Sequence, residues 1–519
     1  MDKKKLYIIK VSLIVALGGF LMGFDASVIS GVVKFIEPHF DLSKIQLGWA
    51  VSCLTLTATL AMAVAGPLSD RYGRKKLLYF AAILYGFSAL ASALAPSFLV
   101  LVLARMLGGL GVGLSLIIAP MYIAELAPAK NRGTMVSFNQ LNIVLGISIA
   151  FFTNYLILKA GNSNGSLATL LNISENNWRW MLGIESVPAI LYFLFLFIVP
   201  ESPRWLIMKG RDKEALEILS NTTDADSASK DLDKIKASFK KANPNKKVSV
   251  SELFSPTLRL VLLIGIVVAI TQQITGINAV FFYAPMIFEQ TGIGLDASFS
   301  QAILVGLTNL VFTLLAMWLI DRIGRKILLI IGLSGIIISM SLLSIAFGSS
   351  TYYIDESKDQ QLQEIDNTVN WSDLTNISYD SDLKFKNALA QVAGEEILKE
   401  NESALIGLAI NINTWLVLVG IIGFVASFAI SLGPVMWVLF SELFPNRVRG
   451  LAISLAGFIN SGISFIVQLV FPWELANLGN TGTFIIYGAF GLVGLIFIIR
   501  YLPETKGKSL EELEEKLVV

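Results

Sequence analysis

The sequence predicts an all-α integral membrane protein made of two repeated helical bundles. Two observations lead there. The 519 residues are 54% hydrophobic and only 15% charged, with a mean hydropathy of +0.68, whereas soluble proteins carry about a quarter charged residues. Such a chain cannot hide its apolar surface in an ordinary core. The second observation is a repeat of charged signatures in identical order. Asp70-Arg71-Tyr72-Gly73-Arg74-Lys75 returns as Asp321-Arg322-Ile323-Gly324-Arg325-Lys326. Glu125-x-x-Pro128 followed by Arg132-Gly133 returns as Glu442-x-x-Pro445 followed by Arg449-Gly450, and Pro200-Glu201 returns as Pro503-Glu504. Each cluster stands where an apolar run stops. Duplicated membrane bundles of this kind commonly move solutes.

A spanning helix needs about 20 mostly apolar residues. Twelve stretches qualify: about 8–30, 47–67, 77–95, 99–122, 135–158, 180–199, 259–284, 299–320, 327–347, 413–441, 450–471 and 482–502. Many hold several Gly, Ala and Ser, which let helices approach closely in lipid. The N-terminal stretch is basic and then apolar like a signal peptide, but it is too long and contains Asp25, so it reads as a retained first helix. An even count puts both ends on one side. Basic residues set the orientation: Lys3, Lys4, Lys5 and Lys10 precede span 1, Arg71, Arg74, Lys75 and Lys76 follow span 2, and Lys130 and Arg132 follow span 4. Arg322, Arg325 and Lys326 follow span 8, and Arg447 and Arg449 follow span 10. All fall on one face, so both termini are expected in the cytoplasm of a cell-membrane protein (the inner membrane in a Gram-negative cell).

The repeat also locates insertions. The offset between copies is 251 residues at Asp70/Asp321, 317 at Glu125/Glu442 and 303 at Pro200/Pro503. Residues 348–412, polar and mostly acidic, account for the gain, and Gly161–Asn177 for the smaller one in the first half; both face outside. The expected organisation is a first bundle over 1–200, a cytoplasmic linker over 201–258 and a second bundle over 259–519, with the tail at 503–519. Helical spacing with mixed charge predicts short amphipathic helices at Asp212–Ser220, Lys230–Ala242 and Ser509–Lys516, the last with Leu510, Leu513 and Leu517 on one stripe.

Six motifs in order give the chain its resemblance. They are Gly66 through Lys75, Pro120 through Pro128, Pro200-Glu201 with Pro203-Arg204-Trp205, Gln272-Gln273 with Gly276 and Asn278, Gly433-Pro434 with Trp437, and Pro503-Glu504 with Lys506-Gly507. Together they resemble the sugar porter family of the major facilitator superfamily over nearly the whole chain, residues 348–412 excepted. The resemblance implies two six-helix halves around a central site, working by alternating access.

In the Asp-Arg-x-Gly-Arg-Lys loops, Gly73 and Gly324 allow a tight turn. Arg71, Arg74, Arg322 and Arg325 can pair with Asp70, Asp321 or acids at neighbouring helix ends; Glu125, Arg132, Glu442, Arg449, Glu201 and Glu504 are the further members expected. Such clusters would be clasps that hold in one orientation and break in the other; simple topology anchoring is the alternative. Asp25 is the sharpest single residue. An ionised carboxylate at mid-bilayer costs about 2.5–3.5 kcal/mol on insertion scales. Arg105 in span 4 lies at similar depth, so a buried Asp25–Arg105 pair is expected, and protonating Asp25 would free Arg105. In the family, proton-coupled members carry Asp at this place and many uniporters Asn. A structural salt bridge with no titration is the alternative.

Sugars both donate and accept hydrogen bonds, as Gln and Asn do. Gln140 on span 5, Gln272, Gln273 and Asn278 on span 7, Asn309 on span 8 and Trp437 on span 10 match the family's sugar-contacting positions, and Asn460 on span 11 matches a further polar one. Tyr283 is included as the surviving member of a Tyr pair whose first position is Phe282 here; Ser461 stands where many members have Trp. Interhelical hydrogen bonding is the alternative for these amides. Gly433-Pro434 is expected to break span 10 into a mobile gate.

The rest of the chemistry is spare. His39 is the only histidine and Cys53 the only cysteine, so no metal cluster, cofactor or internal disulfide is expected; His39 reads as a loop residue. A net charge of +1 gives no pointer to nucleic acid, and no nucleophile–base pair suggests an enzyme. The expected function is proton-coupled import of a monosaccharide (hexose, pentose or a polyol) by a monomer in the lipid bilayer. A facilitative uniporter and a non-transporting sugar receptor are the rivals, the latter disfavoured by the short segment after Pro503-Glu504.

Overall fold

The computed structural model describes residues 3–128, 132–163, 165–241, 250–445, 447–508 and 512. Among the described residues, eleven helical segments are long and apolar enough to cross a membrane. The last, Arg449–Tyr501, is 53 residues long and is interrupted at Gly479, where φ is 70°. It therefore holds two of the expected spans, 11 and 12, and the total is twelve. Spans 1 to 5 are Lys3–His39, Lys44–Tyr72, Arg74–Ala93, Phe98–Leu126 and Arg132–Gly161. Span 6 covers Asn177–Ile198, span 8 Leu295–Ile323 and span 9 Arg325–Gly348. Lys130 and the side chain of Arg132 lie outside the described residues, as does the expected tail helix Ser509–Lys516 apart from Glu512.

Several helices outrun their apolar stretches. Hydropathy marks the part that suits lipid, whereas the backbone hydrogen-bond ladder continues until something turns the chain. Span 1 runs on to His39, which is its last helical residue and not a loop residue. The turn follows at Asp41, with φ 48°. The imidazole packs on Phe40 and Trp178, with ring centroids 4.6 and 5.2 Å away.

Three spans are broken: span 6 between Asn177–Gly183 and Ser186–Phe195, and spans 7 and 10. Span 7 consists of Arg259–Ile274 and Ile277–Glu289, joined through Gly276 at φ 91°. Span 10 consists of Thr414–Ile430 and Leu432–Leu443, and its break is at Ser431 (φ −128°, ψ −96°), two residues before Gly433. The expected breaker, Pro434, sits in the first turn of the second segment, where its missing N–H costs no intrahelical bond.

Contacts divide the chain into two compact units. Unit 1 is Met1–Val28, Cys53–Ala150 and Arg179–Glu252; unit 2 is Ile29–Ser52, Phe151–Trp178 and Leu253–Val519. The core of unit 1 is built on Val15, Leu78, Tyr85, Ile118, Tyr122 and Tyr192. Span 4 approaches span 2 closely because a Cβ on Gly109 or Gly113 would stand 2.3 and 2.2 Å from the carbonyl oxygens of Leu54 and Ala58. The segment after span 6 forms Pro203–Met208, Asp212–Thr222 and Ala225–Lys241. Trp205, Leu206, Ile207 and Ala215 bury there against Ile218, Leu232 and Ile235, and Lys4 of span 1 pairs with Asp224 at 3.0 Å.

In unit 2 the acidic insertion is folded, which its composition did not announce. Strands β1 (Thr351–Tyr353), β2 (Ser378–Tyr379) and β3 (Ile410–Asn411) form an antiparallel sheet in the order β2-β1-β3. Helices Asp359–Ile365, Asp382–Ala393 and Glu395–Ala409 pack on it. Its own core contains Tyr352, Trp371, Phe385, Leu389, Leu405 and Ile406.

Candidate functional site

Three constellations are assembled from the residues the sequence singles out. The first is the pair of clasps. In unit 1, Arg74 lays its guanidinium on Glu125 through Nε and Nη2, both at 3.0 Å. Its Nη1 lies 3.0 Å from Asp70 and donates to the Ser69 carbonyl. Glu201 accepts the backbone N–H groups of Arg74 and Lys75, each at 3.1 Å. These are the first donors of span 3 and have no intrahelical acceptor, so a carboxylate there serves as cap and as a counter-charge to the helix dipole. Ser202 donates to Glu125 and closes the ring.

Unit 2 repeats the arrangement. Arg325 pairs with Asp321 at 3.0 Å and Glu442 at 2.8 Å. Glu504 accepts the N–H groups of Arg325 at 2.9 Å and Lys326 at 3.1 Å, and Thr505 donates to Glu442 at 2.6 Å in the role of Ser202. Burial works against the Glu504 carboxylate, but the N–H groups of Lys506, Arg325, Thr505 and Lys326 outweigh it and hold its pKa below the usual range. Gly73 and Gly324 have φ of 101° and 105°, and a Cβ on either would stand 2.4 or 2.7 Å from the capping carboxylate. Turn and cap both demand glycine. Arg71 and Arg322 stay out of the ion pairs described and lie over the rings of Tyr72 and Trp318. Arg449 donates to the Phe444 carbonyl.

The second constellation is the buried pair in unit 1. Asp25 of span 1 and Arg105 of span 4 are 3.5 Å apart, each only 2% exposed. Gly108 makes room for it: a Cβ there would stand 2.9 Å from Asp25 Oδ2. Glu185, at the bend in span 6, is 3% exposed and lies within electrostatic reach of both partners. Its signal in the sequence is a lone acid inside the apolar stretch 180–199, and it is not among the residues expected above.

The third is an amide network at the break of span 7 in unit 2. Asn460 donates to Gln272 Oε1 at 2.7 Å and to the Ala269 carbonyl. Gln273 donates to Asn460 Oδ1 at 3.1 Å. Asn278 donates to Gln273 Oε1 at 2.9 Å and to Ser464 at 2.6 Å. Gln272 reaches the Leu432 carbonyl, beside the span 10 break, at 2.9 Å. Gln468 donates to Ser464. Ser464 and Gln468 were missed, yet they follow Asn460 at intervals of four and share its helix face. Tyr283 is fully buried and donates to the Gln468 carbonyl, so its hydroxyl braces spans 7 and 11. Trp437 is 46% exposed and packs edge-on against Phe440. Asn309 is buried on span 8 and, among the described residues, is not hydrogen-bonded to the network. Gln140 is half-buried within unit 1.

Comparison with known proteins gives the family and the fold. The family described as "Sugar (and other) transporter" matches residues 11–358 and 397–517, leaving 359–396 of the insertion unmatched. An arabinose-proton symporter of Bacillus subtilis (strain 168) is 34% identical over 509 residues, covering 98% of this chain and 95% of the relative. A D-xylose-proton symporter of Escherichia coli (strain K12) is 33% identical over 541 residues, again covering 98% and 95%. The inward-open structure of the xylose transporter XylE from E. coli superposes with a TM-score of 0.74 at 32% identity, covering 98% of this chain and all of the other. On this sequence, fold and site geometry, the chain belongs to the sugar porter family of the major facilitator superfamily.

Proposed function

We propose that the chain imports a pentose or hexose together with a proton, by alternating access. The observation that carries the proton half is the Asp25–Arg105 pair, sealed from water inside two spans of one unit. Removing one charge from such a pair leaves the other stranded, at a cost of about 3–5 kcal/mol. Protonation of Asp25 therefore releases Arg105 and biases the packing of spans 1 and 4. The sugar half rests on the network of Gln272, Gln273, Asn278 and Asn460. Its donors and acceptors now satisfy one another, and a sugar's hydroxyl groups can replace them one for one. Gln140, Asn309 and Trp437 are the further candidate sugar contacts, on spans 5, 8 and 10 of the halves 1–200 and 259–519. The clasps built on Arg74 and Arg325 are the gates on the same side as both termini.

The basic residues beside spans 2, 4, 8 and 10 support cytoplasmic termini in a cell membrane, with the insertion outside. Arabinose, xylose and glucose, named for the relatives, are the first substrates to try. Proteoliposomes with an imposed proton gradient decide the matter. The proposal expects sugar accumulation that collapses with a protonophore; equilibration without accumulation identifies a uniporter.

A further inference from the structure

The insertion touches the ends of spans 1, 2 and 7 through three groups of polar and ionic contacts inside unit 2. Helix Glu395–Ala409 carries Lys399, Glu402 and Ser403 on neighbouring turns. Lys399 pairs with Asp41, in the turn after span 1, at 2.7 Å. Glu402 lies 3.8 Å from Lys44, the first residue of span 2, and Lys44 pairs with Glu37 of span 1 at 2.6 Å. Ser403 bridges Lys34 of span 1 and Glu289 at the end of span 7: Lys34 meets Glu289 at 2.7 Å and donates to Ser403, which donates to Glu289.

The insertion is fixed differently to the second sequence half. Asp382 accepts the backbone and side-chain N–H groups of Asn480, at 3.0 and 2.9 Å, and so caps span 12 after its break at Gly479. Lys386 pairs with Glu402 at 2.7 Å and donates to Gln290, which follows span 7. Asp382 is 8% exposed and Glu289 4%, whereas the first-half side chains in these contacts are more open: Lys34 is 33% exposed, Lys44 25% and Asp41 89%. One set of contacts is buried and capped. The other is long, flexible and half-wet, which suits bonds that form and break.

We propose that the folded insertion is an outer gate, a cap carried by spans 7 and 12 that latches onto the outer ends of spans 1 and 2 and holds the outer entrance shut. This rests on the alternating-access reading: opening toward the outside has to separate those span ends from the cap. Asp382 and Lys386, which fix the cap to the second half, lie in the stretch 359–396 that the family leaves unmatched, whereas Lys399, Glu402 and Ser403 lie in the matched 397–517.

The test uses the full chain in nanodiscs, without sugar, so it does not depend on which substrate is transported. Spin labels are placed at Ser43→Cys and Asn477→Cys, both exposed, in a Cys53→Ala background, and their distance distribution is measured. Lys44→Met lies outside the cap and leaves its fold intact; Glu402→Gln removes the partner from within. Each is expected to raise the ratio of long to short distances about tenfold, equivalent to about 1.4 kcal/mol. The double variant Lys44→Met with Glu402→Gln is expected to shift the ratio little further than either change alone, and Asp380→Asn, which breaks only an exposed pair with Lys384, to leave it unchanged. A distribution unaltered by both Lys44→Met and Glu402→Gln overturns the gate. So does a double variant whose shift is the sum of the two single ones, since the effect would then not run through the pair. Failure of proton-driven uptake in proteoliposomes would count against the transport reading and leave the distance result standing.

Discussion

Glu504 accepts the backbone N–H of Arg325 at 2.9 Å, across 179 residues of sequence. Glu201 does the same for Arg74 at 3.1 Å. The repeated Pro-Glu motif thus supplies a remote cap to the helix that begins at the Asp-Arg-x-Gly-Arg-Lys turn, and the two repeated motifs form one device. Glu504→Ala should expose two orphan donors and lose a cap worth about 0.5–2 kcal/mol. The expected result is a lower midpoint of thermal unfolding, read by reaction of a thiol dye with the buried Cys53. Glu504→Gln, which can still accept, should lose less. An unchanged midpoint for Glu504→Ala would show that the cap contributes nothing.

Asp25→Asn removes the titratable charge and leaves Arg105 without its counter-ion. Proton coupling predicts that uphill sugar uptake is lost while sugar–sugar exchange across the vesicle membrane continues. A purely structural pair predicts poor folding or no effect on either. Exchange measured beside gradient-driven uptake separates the three outcomes.

The folded insertion carries its own pH prediction. Burial works against the Glu402 carboxylate, yet Lys386 and Lys44 outweigh it and hold its pKa at about 2. A carboxylate depressed on folding stabilises above its unfolded pKa, about 4.3. That contribution is lost as pH falls through the folded value. The cap should therefore keep its contacts down to about pH 4 and loosen between there and pH 2. Fluorescence of Trp371, buried in the cap core, is the probe, and Glu402→Gln should flatten the change over that window.

What the sequence made legible follows from where the signal lies. Apolar length placed the spans and the repeat paired the clasps, because each of these is a local pattern in the chain. The Asp25–Arg105 pair was legible because two charges in apolar runs at equal depth have few other partners. The cap was not: Phe385 and Leu389 stand four apart on one helix face, but the acidic residues around them read as a solvated loop. The span 10 break was displaced from Gly433-Pro434 to Ser431 because a proline is tolerated in a helix's first turn, so the distortion falls before it. Glu185 and Ser464 each carry a local signal, a lone acid in an apolar run and a polar residue four beyond Asn460, but their partners Arg105 and Asn278 lie far away in sequence.

Gly276→Ala should be severe for a local reason. The residue sits at φ 91°, and a Cβ would stand 2.4 Å from the ring of Tyr487. The left-handed conformation alone costs an L-residue about 1–2 kcal/mol, and Tyr487 cannot step aside freely because its hydroxyl is held by Glu474 at 2.7 Å. Straightening span 7 would move Gln273 away from Asn278. The expected outcome is loss of sugar binding with the protein still inserted. Gly276→Ala combined with Tyr487→Phe, which frees the ring from Glu474, should recover part of it.

Asn460 and Gln272 should behave as one unit in binding. Asn460 donates to Gln272 Oε1 at 2.7 Å, and Gln273 donates to Asn460 in turn. Truncating either residue to Ala leaves buried amide groups of its neighbours unsatisfied, which costs about 1–3 kcal/mol. The second truncation then removes groups that have already lost their partner. Asn460→Ala, Gln272→Ala and the double variant, compared by calorimetric titration with xylose, should therefore be less than additive by about 0.5–3 kcal/mol. Additivity within about 0.5 kcal/mol would mean that the two amides meet the sugar independently, and the network would then be a packing device between spans 7 and 11. A large coupling that vanishes in thermal stability but persists in binding would place the network in the substrate site itself.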